Sequence, residues 1–449
     1  MRRREQTALN ICAFKKELYL SFPAHQGGED KAASEIIDYA RKAFLTRSGA
    51  ELESIKIRDT VQSLAKYYCS EKLPALKKLN SDFAGTVYKV LEDNGFKAEA
   101  DFALRQPQAG KVSYGRELFV TYDYVSPTAL ETYYLCPYRN FMQQGLKLQE
   151  REEGAMRPLD TGNFIHTVLQ KLAPDIGTCE NADEARARAG EAAGKLLKSG
   201  AYSSLTDSKS GQYTADELIK EAGEVTAGMY EQLANSQFRV ENTEWRCEIN
   251  LDGGVRINGR VDRVDGCGDM VRIIDYKTGT IDSSATKYYM GQKLQLPLYL
   301  TSASAGRRAV GAYYFPASVE YKQKRDGVFR LQGFMDGSDE VVSVSDTTLK
   351  PKQKSEYFNA YLSGKNPDGA MDNETFADFL QYSALIARRG TREMIEGNIA
   401  PSPAEGACKF CKMGGSCNFA VGVDGEERTC RTVKCEDIAK IVRKQRGDE

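Results

Sequence analysis

At about Thr243 the chain stops reading as helix and starts reading as strand, and that switch leaves few folds open. Glu244 to Asn250, Val255 to Asp265 and Met270 to Lys277 read as three strands. Turn signals separate them, Asp252-Gly253-Gly254 and Gly266-Cys267-Gly268-Asp269. Upstream, Ser126-Pro127 offers an N-cap and a proline at the first helical position of a helix through about Leu148. A second helix is expected from near Thr161, with Phe164, Ile165, Val168, Leu169 and Leu172 on its apolar face, and further helices over 181–199 and 214–235. Downstream come a helix from about Ser284 to Ala303, a buried strand Ala309 to Phe315, a hairpin region to about Val344, and helices near 347–362 and 373–396. A Cys-rich loop and a basic C-terminal helix close the chain. This order predicts an α/β fold, a mixed central sheet flanked by helices.

The front of the chain opens with an expected strand, Leu18 to Phe22, a turn at Pro23 to Gly28, and helices over Asp30–Phe44, Asp59–Leu79 and Asp82–Asn94. A polar stretch from Ala98 to Gly115 reads as a linker. No Gly-x-x-x-x-Gly-Lys-Ser/Thr sequence occurs, so the chain has no phosphate-cradling loop of that kind and is not expected to hydrolyse ATP by itself. With 449 residues there is room for about two to four domains. The 62 Lys and Arg against 63 Asp and Glu require any nucleic-acid surface to be local. No apolar run reaches the roughly 18 residues of a membrane helix, and Lys15, Lys16 and Glu17 interrupt the stretch after Arg2, Arg3 and Arg4. A cytoplasmic protein without a membrane partner is expected.

The chemistry concentrates in Gly259-Arg260-Val261-Asp262-Arg263-Val264-Asp265 and Ile273-Ile274-Asp275-Tyr276-Lys277-Thr278-Gly279. Residues two apart on a strand share a face, so Asp275 and Lys277 point one way and Tyr276 the other. A turn symmetric about Cys267 and Gly268 puts Asp262 opposite Ile273, on the face of Asp275. Two carboxylates beside one lysine, at the end of apolar strands, are costly without a counter-ion. Mg²⁺ or Mn²⁺ would neutralise them through hard oxygen ligands, and the lysine could position or deprotonate a water. The plainer account is a surface salt-bridge network on a hairpin, since Asp-x-Lys is common.

Cys408, Cys411 and Cys417 form a C-x2-C-x5-C cluster, a spacing that favours zinc or an iron-sulfur centre and leaves one ligand missing. Cys430 or Cys435 would complete a zinc site. Cys12, Cys69, Cys179, Cys247 and Cys267 read as ordinary thiols.

These residues resemble the Asp…Asp-x-Lys core of the PD-(D/E)xK nuclease superfamily in its RecB-type branch. Gly162-Asn163-Phe164-Ile165-His166 resembles that branch's Gly-x-x-x-His helix, Gln295-Leu296-Pro297-Leu298-Tyr299 its Gln-x-x-x-Tyr helix, and Leu135-Cys136-Pro137-Tyr138-Arg139 its upstream cysteine motif. The resemblance implies metal ligation by His166, Asp262, Asp275 and the main-chain carbonyl of Tyr276, with Lys277 orienting the attacking water. It implies that Gln295 and Tyr299, at i and i+4, reach the DNA backbone or the lysine; Pro297 between them should kink that helix or mark its first turn. It also implies a [4Fe-4S] cluster on Cys136, Cys408, Cys411 and Cys417, stapling the start of the nuclease domain to its end. Arg139, Arg260, Arg263 and Lys287 are candidate phosphate contacts, each equally readable as a solvated surface charge.

The run from Val125 to Glu153 is most similar to the start of the nuclease domain in the B subunits of AddAB-type helicase-nucleases, and Glu17 to Pro23 resembles the end of their helicase-like region. Those subunits are much longer, so Met1 reads as an artificial or truncated start. The implied organisation is a helicase-like remnant and linker over 1–118, a nuclease domain over 119–425 and a basic helical tail over 426–449. The implied function is metal-dependent exonucleolytic cleavage of DNA ends and single strands, 5′ to 3′, beside an A subunit with helicase activity, in recombinational repair. A stand-alone Cas4-type iron-sulfur exonuclease and a non-catalytic DNA-binding scaffold are the alternatives.

Overall fold

A computed structural model describes residues 81–104, 110–148, 158–199, 202, 209–319, 329–417, 419, 421 and 425–447, with positions 25–26, 29–30 and 73. The expected strand at Leu18–Phe22, most of the turn after it and the helices over 30–44 and 59–79, apart from Asp30 and Leu73, lie outside the described residues. The chain divides into two compact units, Met1–Leu104 and Arg105–Glu449.

In the first unit, β1 (His25–Gln26) pairs antiparallel with β2 (Glu29–Asp30). Helices α1 (Ser81–Asp93) and α2 (Lys97–Leu104) follow, and Leu73, Leu91 and Ala100 are buried together. The sequence reads α2 as linker. Its alanines are strong helix formers, and Ala100 gives it one small apolar contact face.

The second unit is built on one mixed seven-stranded sheet. Its elements run α3 (Gly115–Phe119), β3 (Tyr124–Val125), α4 (Pro127–Leu135), α5 (Pro137–Asn140), α6 (Pro158–Leu172), α7 (Ala182–Lys198), α8 (Lys209–Ala234), β4 (Arg239–Asn250), β5 (Arg256–Cys267), β6 (Met270–Lys277), α9 (Ala285–Tyr289), α10 (Gln295–Ser304), β7 (Arg308–Pro316), β8 (Gln332–Asp336), α11 (Asp339–Ser345), β9 (Ala370–Met371), α12 (Asn373–Ile395), α13 (Gly414–Cys417) and α14 (Cys435–Arg446). β4, β5 and β6 form an antiparallel meander, β7 joins β6 in parallel through α9 and α10, and β8 and β9 extend the sheet. Helices α4, α10, α12 and α14 share a core with one face, through Leu130, Leu298, Phe379 and Ile438. Helices α6, α7, α8 and α11 share a core with the other, through Phe164, Ala189, Val225 and Val341. Both faces being covered explains why β6 and β7 read as near-continuous apolar runs.

Several elements differ from the sequence expectation for local reasons. The Ser126 cap forms as expected, its Oγ accepting from Ala129 N at 3.1 Å, but α4 ends at Leu135 because Pro137 holds Cys136 extended (φ −167°, ψ 121°). The expected helix from Ser284 to Ala303 is two helices, split by a turn with Gly291 at φ +74°. Pro297 falls in the first turn of α10, where its missing N–H leaves no bond unmade. The segment 347–362 is irregular instead of helical. Pro351 interrupts it, and Asp346 ties it down by accepting from the hydroxyls of Thr348 and Ser355. The terminal helix α14 belongs to the core, with Ile438 and Val442 buried and Arg443 Nε donating to Asp378 of α12 at 2.7 Å.

Candidate active site

The site lies where β5 and β6 end against α6 and α10. Cys267 pairs with Met270, so the hairpin turns about Gly268 and Asp269 with Gly268 at φ +61°. Away from the turn, Asp265 pairs with Arg272, Val264 with Ile273 and Arg263 with Ile274, which sets Asp262 level with Asp275 rather than Ile273. The register expected from sequence is wrong by two residues. An even slip leaves every side chain on its own face, so the two carboxylates still meet.

Asp262 Oδ2 accepts the backbone N–H of Tyr276 at 2.7 Å, which fixes it to the strand carrying Asp275. Lys277 Nζ lies 2.8 Å from Asp275 Oδ2 and 5.5 Å from the ring centre of Tyr314, the β7 residue paired with Asp275. Burial and the charge of Asp275 push the Asp262 carboxyl up to about 7. Burial opposes the charge on Lys277, but Asp275 beside it, with Asp262 and Glu131, wins and raises its pKa.

His166 is brought in by α6. Phe164, Ile165, Val168 and Leu169 are buried against the sheet, each contributing about 1.5–3 kcal/mol relative to exposure, and so set the rotation of the helix. Gly162 and His166, four apart, share its flank. A Cβ at Gly162 would sit 2.9 Å from Thr278 Oγ1, so glycine lets this flank close on the end of β6. His166 Nδ1 then lies 3.5 Å from Asp262 Oδ2, and its ring packs edge-on to Tyr276 at 5.7 Å. Burial lowers its pKa, opposed by Asp275 and by a hydrogen bond with the Tyr276 backbone. A neutral imidazole, two carboxylates and a strand carbonyl are a donor set suited to a hard divalent cation.

Helix α10 supplies Gln295 and Tyr299. Gln295 Nε2 donates to Tyr299 Oη at 3.4 Å, and burial pushes the Tyr299 phenol up to about 12. A Cβ on Gly259 would lie 2.2 Å from Tyr299 Oη, so the glycine three residues before Asp262 is the space the tyrosine occupies.

The candidate phosphate contacts separate. Arg260 is exposed and donates to Glu244 Oε2 at 2.7 Å, Lys287 pairs with Asp282, and Arg139 Nε donates to Gln143 at 3.2 Å. Arg263 is corrected: it is fully buried on the α8 face, paired with Asp265 and donating to Gln232, and cannot meet a phosphate. Strand alternation, Asp262 toward the site and Arg263 away, was the signal that excludes it.

Sequence reasoning passed over Glu131 and Lys293. Glu131 on α4 accepts the backbone N–H groups of Leu294 (2.7 Å) and Gln295 (3.0 Å), capping α10. Burial raises its pKa against these bonds and against Lys293 and Lys277. Lys293 Nζ shares the ring of Tyr314, 6.0 Å from its centre.

The cysteines converge by other means. Ala404 N donates to Leu135 O at 2.8 Å and Arg428 donates to Tyr134 O, which docks the loop before Cys408 against the end of α4 beside Cys136. Burial, with the nearby charges of Cys136, Cys411 and Cys408, holds the Cys417 thiol up at about 11. Cys435 instead sits buried at the start of α14, its backbone N–H donating to Asp368. Among the described residues no group of three or more His, Cys, Asp or Glu side chains is arranged to hold a metal ion.

A family profile described as the PD-(D/E)XK nuclease superfamily matches residues 124–418, from β3 to the cysteine cluster. The chain belongs to this superfamily. It is also similar to proteins named as the B subunit of an ATP-dependent helicase/deoxyribonuclease. The one from Lachnoclostridium phytofermentans is 24% identical over 71% of this chain and 32% of its own length. That of Clostridium perfringens is 24% identical over 81% and 35%, and that of Thermoanaerobacter pseudethanolicus 26% identical over 71% and 32%. This member of the superfamily thus spans about a third of the length of the curated relatives it matches. No helix among its described residues is long and apolar enough to cross a membrane.

Proposed function

We propose that the chain is the nuclease portion of the B subunit of a helicase–nuclease and hydrolyses DNA phosphodiester bonds at strand ends, 5′ to 3′, beside a helicase-bearing A subunit. The observation that carries this reading is the meeting of His166, Asp262, Asp275 and Lys277 at one end of the sheet. His166, Asp262, Asp275 and the Tyr276 carbonyl would hold Mg²⁺ or Mn²⁺. When bound, the cation supplies a water of lowered pKa and a Lewis acid for the phosphate oxygens. Lys277, held over Tyr314 by Asp275 and kept charged by it, would orient the attacking water and offset the negative charge that develops on it. Tyr299 and Gln295 would line the α10 side of the site, and Arg260 and Lys293 would meet the backbone phosphates.

The four cysteines Cys136, Cys408, Cys411 and Cys417 would hold a [4Fe-4S] cluster whose part is structural, joining α4 to the C-terminal loop across about 270 residues and so reducing a large ordering cost. Recombinational repair in the cytoplasm is the setting this activity implies.

Incubation of the purified chain with Mg²⁺ and end-labelled single-stranded or duplex DNA tests the reading. Metal-dependent shortening from the 5′ end is expected, lost in Asp275→Ala and Lys277→Ala. Cleavage that survives both substitutions overturns the assigned site. Anaerobic purification tests the cluster: visible absorbance, lost in Cys136→Ser, is expected, whereas a colourless, zinc-loaded and active protein refutes iron-sulfur and keeps the nuclease.

A further inference from the structure

The arm formed by β4 and the first part of β5 carries its charge in a row. Ile257 and Val261 are buried in the core shared with α10, and the alternate residues Arg256, Asn258 and Arg260 lie on the opposite, outward face. On β4 the same face shows Asn250, Glu248 and Arg246, paired in turn with Arg256, Asn258 and Arg260. Arg246 and Arg260, both exposed, thus stand directly opposite each other, a placing of like charges that costs stability and fills no core. Arg260 Nη1 donates to Glu244 at 2.7 Å and Arg256 Nη1 to Glu248 at 3.2 Å, which leaves Arg246 without an acid among the described residues. Each paired guanidinium keeps further N–H groups for a second acceptor. Arg256 is also held over the ring of Tyr124, 4.2 Å from its centre.

The row leads to the site. Arg260 is two residues from Asp262 along β5. β3 pairs with β5 at Arg256 and Ile257 and β6 pairs with it from Arg263 onward, so between them the edge of β5 away from β4 carries no strand among the described residues. Arg256 to Arg260 covers roughly 13 Å of strand, and β4 and β5 lie only about 5 Å apart. The row is therefore longer than one phosphate and a single backbone wide. We propose that this outer face binds the sugar-phosphate backbone of single-stranded DNA, with Arg246, Arg256 and Arg260 on neighbouring phosphates of the strand that enters the site at Asp262. The proposal rests on the nuclease reading above and adds to it a binding surface outside the catalytic residues.

Fluorescence anisotropy of labelled oligothymidylate with the full chain in EDTA, over a salt series, tests this with no cleavage. Each phosphate contact on a single strand contributes about 0.7 to the fall of log affinity with log salt. Arg246→Gln is expected to lessen that slope by about 0.7, and Arg246→Gln, Arg256→Gln and Arg260→Gln together by about 2. A mixed-sequence strand should respond equally, since phosphates carry no sequence information. Arg246→Lys should keep the slope. Because Arg246 faces Arg260, Arg246→Gln should unfold at no lower urea than the unaltered chain. An unchanged slope in the triple variant, with Mg²⁺-dependent cleavage lost in Asp275→Ala, overturns the binding surface and leaves the nuclease standing. A slope change confined to duplex DNA, or a lower urea midpoint in Arg246→Gln, does the same. Cleavage that survives in both Asp275→Ala and Lys277→Ala overturns the reading on which the surface rests.

Discussion

Replacing Asp265 by alanine should be among the most damaging single changes in the second unit. Asp265 is fully buried between two guanidiniums, with Oδ1 2.9 Å from Arg263 Nε and Oδ2 3.0 Å from Arg272 Nε. Arg263 also reaches Gln232 of α8 at 3.0 Å, and Arg272 lies 4.2 Å over the ring of Phe238. At an effective dielectric constant of about 20, a charge pair at roughly 4 Å is worth about 4 kcal/mol, and Asp265 makes two such pairs. Much of that gross attraction offsets the cost of taking three ions out of water. Removing the carboxylate forfeits the attraction and leaves both cations in the core, so the expected loss is about 3–5 kcal/mol. The register of β5 and β6 passes through these residues, Asp265 being the partner of Arg272. Metal-dependent cleavage should therefore fall with stability, although no atom of the network enters the site. Urea unfolding followed by circular dichroism, with the chain altered at Asp265 only, reads the first quantity. As the counterpart, Arg263→Met, Asp265→Leu and Arg272→Met together remove every charge and should recover most of the loss. A midpoint for Asp265→Ala that corresponds to under about 1 kcal/mol would refute the reasoning, since a loss that small belongs to exposed pairs.

Gly259→Ala should cost about 1–3 kcal/mol by overpacking and disturb cleavage, because the new Cβ meets Tyr299 Oη at 2.2 Å; Tyr299→Ala in the same chain should restore the urea midpoint, and failure to do so would remove the tyrosine as the cause. Glu131→Ala should destabilise by about 1–2 kcal/mol, as loss of a helix N-cap does, whereas Glu131→Gln keeps an acceptor for Leu294 and Gln295 and should lose less; equal losses in urea would refute the capping role. In metal-free buffer, Asp262 contributes a stability that declines with rising pH. Its folded pKa, about 7, lies above the unfolded value, so the folded chain binds the extra proton between about pH 4 and 7 and gives it up as pH climbs through 7. His166, lowered by burial, acts oppositely, destabilising as pH falls below about 6.5. Asp262→Asn should flatten the fall in urea midpoint between about pH 4 and 7, and an unchanged slope would refute the assignment.

What the sequence made legible was whatever depends on short spacing. Asp275 and Lys277 share a face because they are two apart, and Gly162 and His166 share a flank because they are four apart; neither statement needs a partner strand. The hairpin register did need one, and the choice between a turn on Cys267–Gly268 and one on Gly268–Asp269 is not encoded in alternation, only in which glycine adopts a positive φ. The error was harmless because an even slip preserves faces. Arg263 was misplaced for the converse reason: its neighbours in the motif point into the site, and only strict alternation with Asp262 separates it from them. Glu131 was invisible as a site residue because it acts across a long separation, on Leu294 and Gln295.

The meander has two chemically distinct sides. Asp262 and Asp275 stand on one, and directly behind them Arg263 and Arg272 outnumber Asp265 on the other. Tyr276, next to Asp275 on β6, reaches toward Arg263 from the reverse face while its backbone N–H serves Asp262. A positive charge left unbalanced in the core behind a carboxylate pair lowers the cost of keeping that pair ionised, and it does so where a low dielectric makes its reach longest. The all-apolar replacement that restores stability should therefore weaken Mn²⁺ binding. An unaltered Mn²⁺ affinity in that triple variant would show the network to be scaffold alone.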